Sequence, residues 1–274
     1  METTNYFRPI SIPLLFLCFV ANVQGQKYYP VKLVTTFPDR DQKETILLEY
    51  KEWPVLLEKI TTNLEGYGEF KGAETTFFYN NNQNLERLED KAIGKDLPVQ
   101  EFHFMYQDRF LTEIMRQENN TEERAAIFYS SPTTTYSFQE HNGNMWNYIF
   151  KNGDLVTVRN CGRELLSYYF QNQEGMDVGE DDRRPNGPFK NLSQWPIAGY
   201  RLISSTLRST RMAQMALTQE MVDFISYDNR FIYLTYKLDE FGNSAQIEFR
   251  NAEDDFPFQT TTISYKIIDP NGGG

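Results

Sequence analysis

Few side chains in this chain combine the type and spacing that chemistry needs. Its 274 residues hold 38 Asp and Glu against 27 Lys and Arg. Runs such as Glu253-Asp254-Asp255 supply paired carboxylates, and glycoside hydrolysis needs only two. A chain this acidic makes such runs by composition alone. The two histidines, His103 and His141, are far apart, so no His-rich zinc site is expected. His103 lies between Phe102 and Phe104. Strand alternation would point it away from both rings, as a structural histidine. His141 falls in a turn and reads as solvated. Neither a Gly-x-Ser-x-Gly elbow, nor a His-Glu-x-x-His pair, nor a Gly-rich phosphate loop occurs. No catalytic residue, metal ligand or cofactor is assigned from sequence, and the chain reads as non-enzymatic.

Sulfur chemistry depends on where the chain is delivered. Met1 to Pro13 carry one Arg, Arg8, before the apolar stretch Leu14 to Ala21. Val23 and Gly25 follow at small-residue positions, so cleavage is expected after Gly25. The apolar stretch is shorter than the roughly 20 residues of a membrane-spanning helix. The mature chain is therefore expected from Gln26 onward, secreted or extracellular, with no transmembrane segment. Cys18 leaves with the leader, and Cys161 remains alone. It is then a buried inert thiol, a free thiol, or a link to another protein. Asn119-Asn120-Thr121 and Asn191-Leu192-Ser193 fit glycosylation acceptors at Asn119 and Asn191.

Charge narrows the partners. A net charge of −11 and a pI near 4.8 repel phosphate backbones, so nucleic acid is excluded. Hydrophobic content of 40%, with 21 Phe and 17 Tyr, marks a folded chain that favours strands.

The elements follow from periodicity. Period-two alternation predicts strands over 31–37, 44–50, 56–64, 75–79, 85–88, 126–129, 133–138, 145–150 and 155–158. Strands are expected again over 231–237, 245–249 and 260–268. Asn80-Asn81-Asn82, Asn142-Gly143 and Asn152-Gly153 supply turns. Three segments show helical spacing instead: 106–117, 163–171 and 212–225. Met212, Met215 and Met221 of the last one read as core. Residues 173–188 lack an apolar period, and 269–274 are a Gly-rich tail. The expected organisation is a leader over 1–25 and one β-rich domain over 26–268, with a sub-boundary available in 173–190. The fold class is α+β, predominantly antiparallel β: a curved sheet or half-barrel with two or three covering helices. Trp53, Trp146 and Trp195 are assigned to core or rim packing.

The order of strands from Val31 to Val158, with Leu48-Glu49-Tyr50 and Phe77-Phe78-Tyr79-Asn80-Asn81-Asn82 within it, resembles LolA-like half-barrels of secreted animal proteins. That resemblance implies an incompletely closed barrel holding a lipid or other apolar ligand in its concavity. Two alternatives stay open. One is an extracellular adhesion or recognition module of a larger surface protein, with Cys161 reaching a protein partner. The other is a carboxylate-dependent glycoside hydrolase.

Overall fold

The computed structural model describes residues 27–51, 54–108, 110–119, 121–130, 133–139, 143–151, 154–169, 221–227, 230–252, 254 and 256–268. Among these residues the regular structure is all strand. The strands are β1 Lys27–Phe37, β2 Gln42–Lys51, β3 Leu56–Glu65, β4 Gly72–Tyr79, β5 Leu85–Ile93, β6 Gln100–Gln107, β7 Phe110–Glu118 and β8 Thr121–Ser130. They continue as β9 Thr133–Gln139, β10 Met145–Lys151, β11 Asp154–Asn160, β12 Arg163–Tyr169, β13 Phe224–Tyr227, β14 Arg230–Leu238, β15 Ser244–Asn251 and β16 Gln259–Ile268. Each pairs antiparallel with its neighbour in sequence, and β1 pairs with β16 to close a 16-stranded barrel. Closure leaves no unpaired sheet edge.

This corrects the expectation of an α+β half-barrel. The sheet is closed, and no described residue is helical. The LolA-like resemblance falls with it. Residues 106–117 form the end of β6, a turn and β7; residues 163–169 form β12; residues 224–225 belong to β13. Residues 221–223 of the third expected helix are described and are not helical, and residues 212–220 lie outside the described residues, as do the leader, the tail, Asn191, His141, Trp53 and Trp195.

A local feature of the strands accounts for the misread helices. Where β6 pairs with β7, Tyr106 faces Leu111 but Met105 faces Glu113, so Thr112 is an extra residue. The bulge turns the two-residue spacing of inward side chains into three, and Leu111 and Ile114 are both buried. The same device recurs. Tyr50 faces Leu57 and Glu58 is extra, Tyr79 faces Leu85 and Glu86 is extra, and Phe150 faces Leu155 and Val156 is extra. In β15 Ala245 is extra, and the buried pair is Ser244 and Ile247. An i, i+3 apolar pair imitates one turn of helix, although each of these pairs lies on a strand.

The two faces of the wall differ. Row by row around the barrel, Leu33 faces Ile46, Ile46 faces Thr62, Thr62 faces Ala73 and Ala73 faces Ala92, and all are buried. Phe102, Ile114, Ala125, Leu155, Ile247 and Phe249 are fully buried on the same inner face. Outward positions carry charge instead. Lys43 pairs with Glu65 at 2.9 Å, Lys59 with Glu74 at 2.6 Å and Arg124 with Glu113 at 2.7 Å. Exposed pairs of this kind contribute little stability. The same outer face also carries exposed apolar side chains, among them Leu47, Phe128, Phe231 and Tyr233.

Candidate functional site: the lower mouth of the barrel

Take the lower end as the one where β1, β3 and the other odd-numbered strands finish. Inward side chains change character toward it. Thr35, Glu44, Thr62, Thr75, Asp90, Gln259 and Thr261 are all buried. Thr35 and Thr261 hydrogen-bond at 2.8 Å, and Thr75 donates to Asp90 at 2.9 Å. A buried polar group without a partner is costly; these four side chains avoid that cost, whereas the Thr62 Oγ1 is buried with no hydrogen-bond partner among the described residues.

Below that polar tier, at the mouth itself, opens a cavity of about 540 Å³. It is lined by Phe37, Asp39, Arg40, Gln42, Glu44, Tyr67, Arg230, Asn251, Phe258 and Gln259. Sequence places these side chains simply. Asp39 and Arg40 ride the turn between β1 and β2, which the Arg40 backbone N–H closes onto the Phe37 carbonyl at 3.0 Å. Tyr67 sits between β3 and β4, directly after Gly66. Gly66 has φ +82°, and a Cβ there would meet the Asp41 carbonyl oxygen at 1.9 Å. Only glycine lets the two connections approach so closely. Arg230 begins β14, Asn251 ends β15, and Gln259 begins β16.

Glu44 is the fixed point of the site. It faces Thr35 of β1 and Leu64 of β3, and only 3% of it is exposed. The Tyr67 hydroxyl donates to its Oε1 at 2.7 Å. Burial pushes the Glu44 carboxyl above the usual carboxylate range, and the Tyr67 hydrogen bond opposes that shift. The Tyr67 phenol is itself raised, first by burial and then by its bond to Glu44 and the charge there, while Arg40 pulls it down. Among the described residues, neither Arg40 nor Arg230 forms an ion pair. The mouth thus combines two available guanidinium groups, amide and phenol hydrogen-bonding groups, and the Phe37 and Phe258 rings.

The residues singled out from sequence are scattered. Cys161 is exposed in the turn between β11 and β12, without a disulfide. His103 is on the outer wall, its Nε2 3.4 Å from Glu101. Asp254 accepts from the Asn251 amide at 2.6 Å, and Glu253 and Asp255 lie outside the described residues. Trp146 is half-buried beside Tyr148, with ring centroids 6.3 Å apart. Asn119 is exposed in the β7–β8 turn, with φ +46°. It borders a smaller hollow of about 160 Å³ in which Arg116 already binds Glu118 at 2.8 Å and Glu123 at 3.1 Å.

Sequence reading missed Glu44, Tyr67, Arg40 and Arg230. One signal was present: Glu44 takes an inward turn of alternation shared with Ile46 and Leu48. A charge at a core position marks either a paired structural group or a site.

No protein-family model matches the chain, and no curated protein matches it. Solved structures do. A porin-like protein from Bacteroides uniformis matches with a TM-score of 0.51 and 11% identity, over 88% of this chain and 99% of that one. A porin-like protein from Bacteroides vulgatus matches with a TM-score of 0.41 and 10% identity, again over 88% and 99%. At this identity the first likeness speaks to fold, a many-stranded barrel, and the second carries no argument.

Proposed function

We propose that the protein is a non-enzymatic binding barrel, porin-like in fold only, whose lower mouth takes a small polar molecule. The cavity carries this reading. It joins charged, amide and aromatic side chains around about 540 Å³ of space, in the range of small-molecule sites.

Two further features favour a water-soluble binder over a pore. A membrane barrel turns apolar side chains to lipid and polar ones to its lumen. Here the inner face is apolar, with Leu88, Phe102, Ile114 and Phe249 buried, and the outer face mixes charges such as Lys43, Glu65, Glu113 and Arg124 with exposed side chains such as Phe128, Phe231 and Tyr233. Sixteen strands would also leave an aqueous channel if the interior were empty, yet the inward side chains are shielded from water. An export leader and delivery outside the cytosol belong to the same proposal. Binding of a lipid in the sheet concavity has less support, since the apolar inner face is already covered and the open space is polar.

Ligand-observed NMR on the purified chain tests this. One set of compounds holds saccharides and amino acids, and the other holds fatty acids and lysophospholipids. Saturation transfer to a polar compound, lost in Phe258→Ala, is the expected result. Transfer to the lipids alone, or single-channel conductance in a planar bilayer, overturns the proposal.

A further inference from the structure

Resting on that reading, we infer that the ligand of the lower mouth is an acidic saccharide, a polyhydroxylated ring bearing a carboxylate or sulfate, held by Arg40 and Arg230.

The balance of groups in the cavity points there. Arg40 and Arg230 line it and neither is paired with a described carboxylate. A guanidinium presents several N–H donors in a plane that matches a carboxylate or sulfate edge. Most other described arginines of the barrel are engaged: Arg116 with Glu118 and Glu123, Arg124 with Glu113, Arg250 with Glu248. Arg159, exposed on β11, is not. Two unengaged arginines lining one cavity still stand out on a chain of net charge −11.

The opposing charges are Asp39 and Glu44. Asp39 is exposed in the turn beside Arg40. Glu44 is buried, and its carboxylate already accepts the Tyr67 hydroxyl, so it faces a ligand less directly than its place in the lining implies. Charges farther from the mouth than a Debye length, about 8 Å at physiological salt, are largely screened there.

Hydroxyl recognition comes from the remaining lining. Gln42, Asn251 and Gln259 each offer an amide donor and acceptor, and Tyr67 offers a phenol. Phe37 and Phe258 supply apolar faces for the C–H side of a sugar ring. A simple inorganic anion would use the arginines and leave this lining unused. A neutral sugar would use the lining and leave the arginines unused. Only a ligand carrying both kinds of group engages the whole set.

Titrations followed by ligand-observed NMR decide the matter with four probes: glucuronate, glucose, sodium sulfate and free glutamate. The inference expects glucuronate to bind at least tenfold tighter than glucose or sulfate. That preference should vanish in the Arg40→Ala/Arg230→Ala double variant and shrink as salt rises from 50 to 300 mM. Arg40→Lys/Arg230→Lys, which keeps the charge, should retain part of it. Equal binding of glucose and glucuronate overturns the inference while the polar-ligand reading survives. Sulfate binding as tightly as glucuronate reduces the site to an anion site and likewise overturns it. If only glutamate binds, the acidic-saccharide assignment is wrong and the cavity reading stands. If none of the four binds, both fail.

Discussion

The Tyr106 hydroxyl donates to the backbone carbonyl of Leu85 at 2.9 Å, across the β5–β6 pair at the upper end of the barrel. The same link recurs around that rim. Tyr50 donates to Pro30 at 2.7 Å, Tyr79 to Leu57 at 2.7 Å and Tyr129 to Leu111 at 2.8 Å. Tyr236 donates to Val222 at 2.7 Å and Tyr265 to Ser244 at 3.1 Å. In each case a tyrosine near the end of an even-numbered strand ties down a carbonyl at the beginning of the preceding hairpin arm. Replacing Tyr106 or Tyr79 by Phe leaves the ring in place and orphans the carbonyl, at a cost of about 1 kcal/mol each. Urea unfolding measures it. Tyr233→Phe, on the exposed outer wall, should leave the midpoint unchanged.

The repeat explains how much of the fold was legible beforehand. Alternation located β1, β2, β3, β9, β10, β14 and β16 to within a few residues, because Leu33, Ile46, Ile60 and their neighbours obey period two. It did not find β6, and it failed at β7, β12 and β13, which it placed in helices. In β7 the extra residue Thr112 converts period two to a spacing of three, which is also helical. In β12 Leu165 is extra in the pairing with β11, and it places two leucines side by side. The repeat itself, an aromatic, a turn, then Leu-x-x-Ile or a near equivalent, stayed hidden because its turns vary in length. Tyr106 and Leu111 are five positions apart, Tyr50 and Leu57 seven. Closure was not legible at all. It depends on β1 meeting β16 more than 200 residues away, a contact that no local pattern announces. The site was hidden for the same reason, since turn residues 39–40, Tyr67, Arg230 and Gln259 meet only when the ring closes.

The bulges make a prediction of their own. Glu58 is exposed, so Glu58→Ala should change stability by no more than about 0.5 kcal/mol. Deleting Glu58 is a different perturbation. It removes the extra residue opposite the Glu49–Tyr50 step, so the spacing of Leu57 and Ile60 returns to two and both keep their inward faces. What is lost is the local bend and twist that the bulge gives the strand. The deletion should therefore leave the barrel folded and cost less than the roughly 3 kcal/mol of losing a large core side chain. Paired urea titrations of the substitution and the deletion check it.

Glu44 couples the site to pH. Its carboxyl is raised above the ordinary range of a carboxylate, mainly by burial. A carboxyl whose folded pKa exceeds its unfolded pKa favours folding most below the unfolded value, and that contribution is lost as pH rises through the folded value. Above that range, the ionised Glu44 is the less stable form of the folded chain. Glu44→Gln keeps an oxygen that the Tyr67 hydroxyl can reach, and it cannot ionise. The stability of Glu44→Gln relative to the parent should therefore rise between pH 4.5 and neutrality. Urea midpoints of both proteins at several pH values measure the difference. A difference that stays flat, or falls with pH, contradicts the assignment of burial as the dominant cause.

Cys161 stands in the β11–β12 turn with φ +48°, followed by Gly162 with φ +81°. Two consecutive residues at positive φ describe the tight hairpin turn whose preferred first residue is Asn, with Gly second. Cysteine has no side-chain acceptor to relieve that conformation, and its backbone N–H is already committed to the Met145 carbonyl at 2.7 Å. Its Sγ lies 3.7 Å from the Asn144 Oδ1, a weak contact at most. Substituting Asn should thus stabilise the chain by a few tenths of a kcal/mol, up to about 1. Thermal unfolding under reducing conditions isolates this backbone effect from disulfide chemistry. The same variant also removes the exposed thiol, so a band of twice the chain mass on a non-reducing gel should disappear with it if the parent forms one. A variant less stable than the parent would mean that the thiol contributes a contact beyond the turn itself.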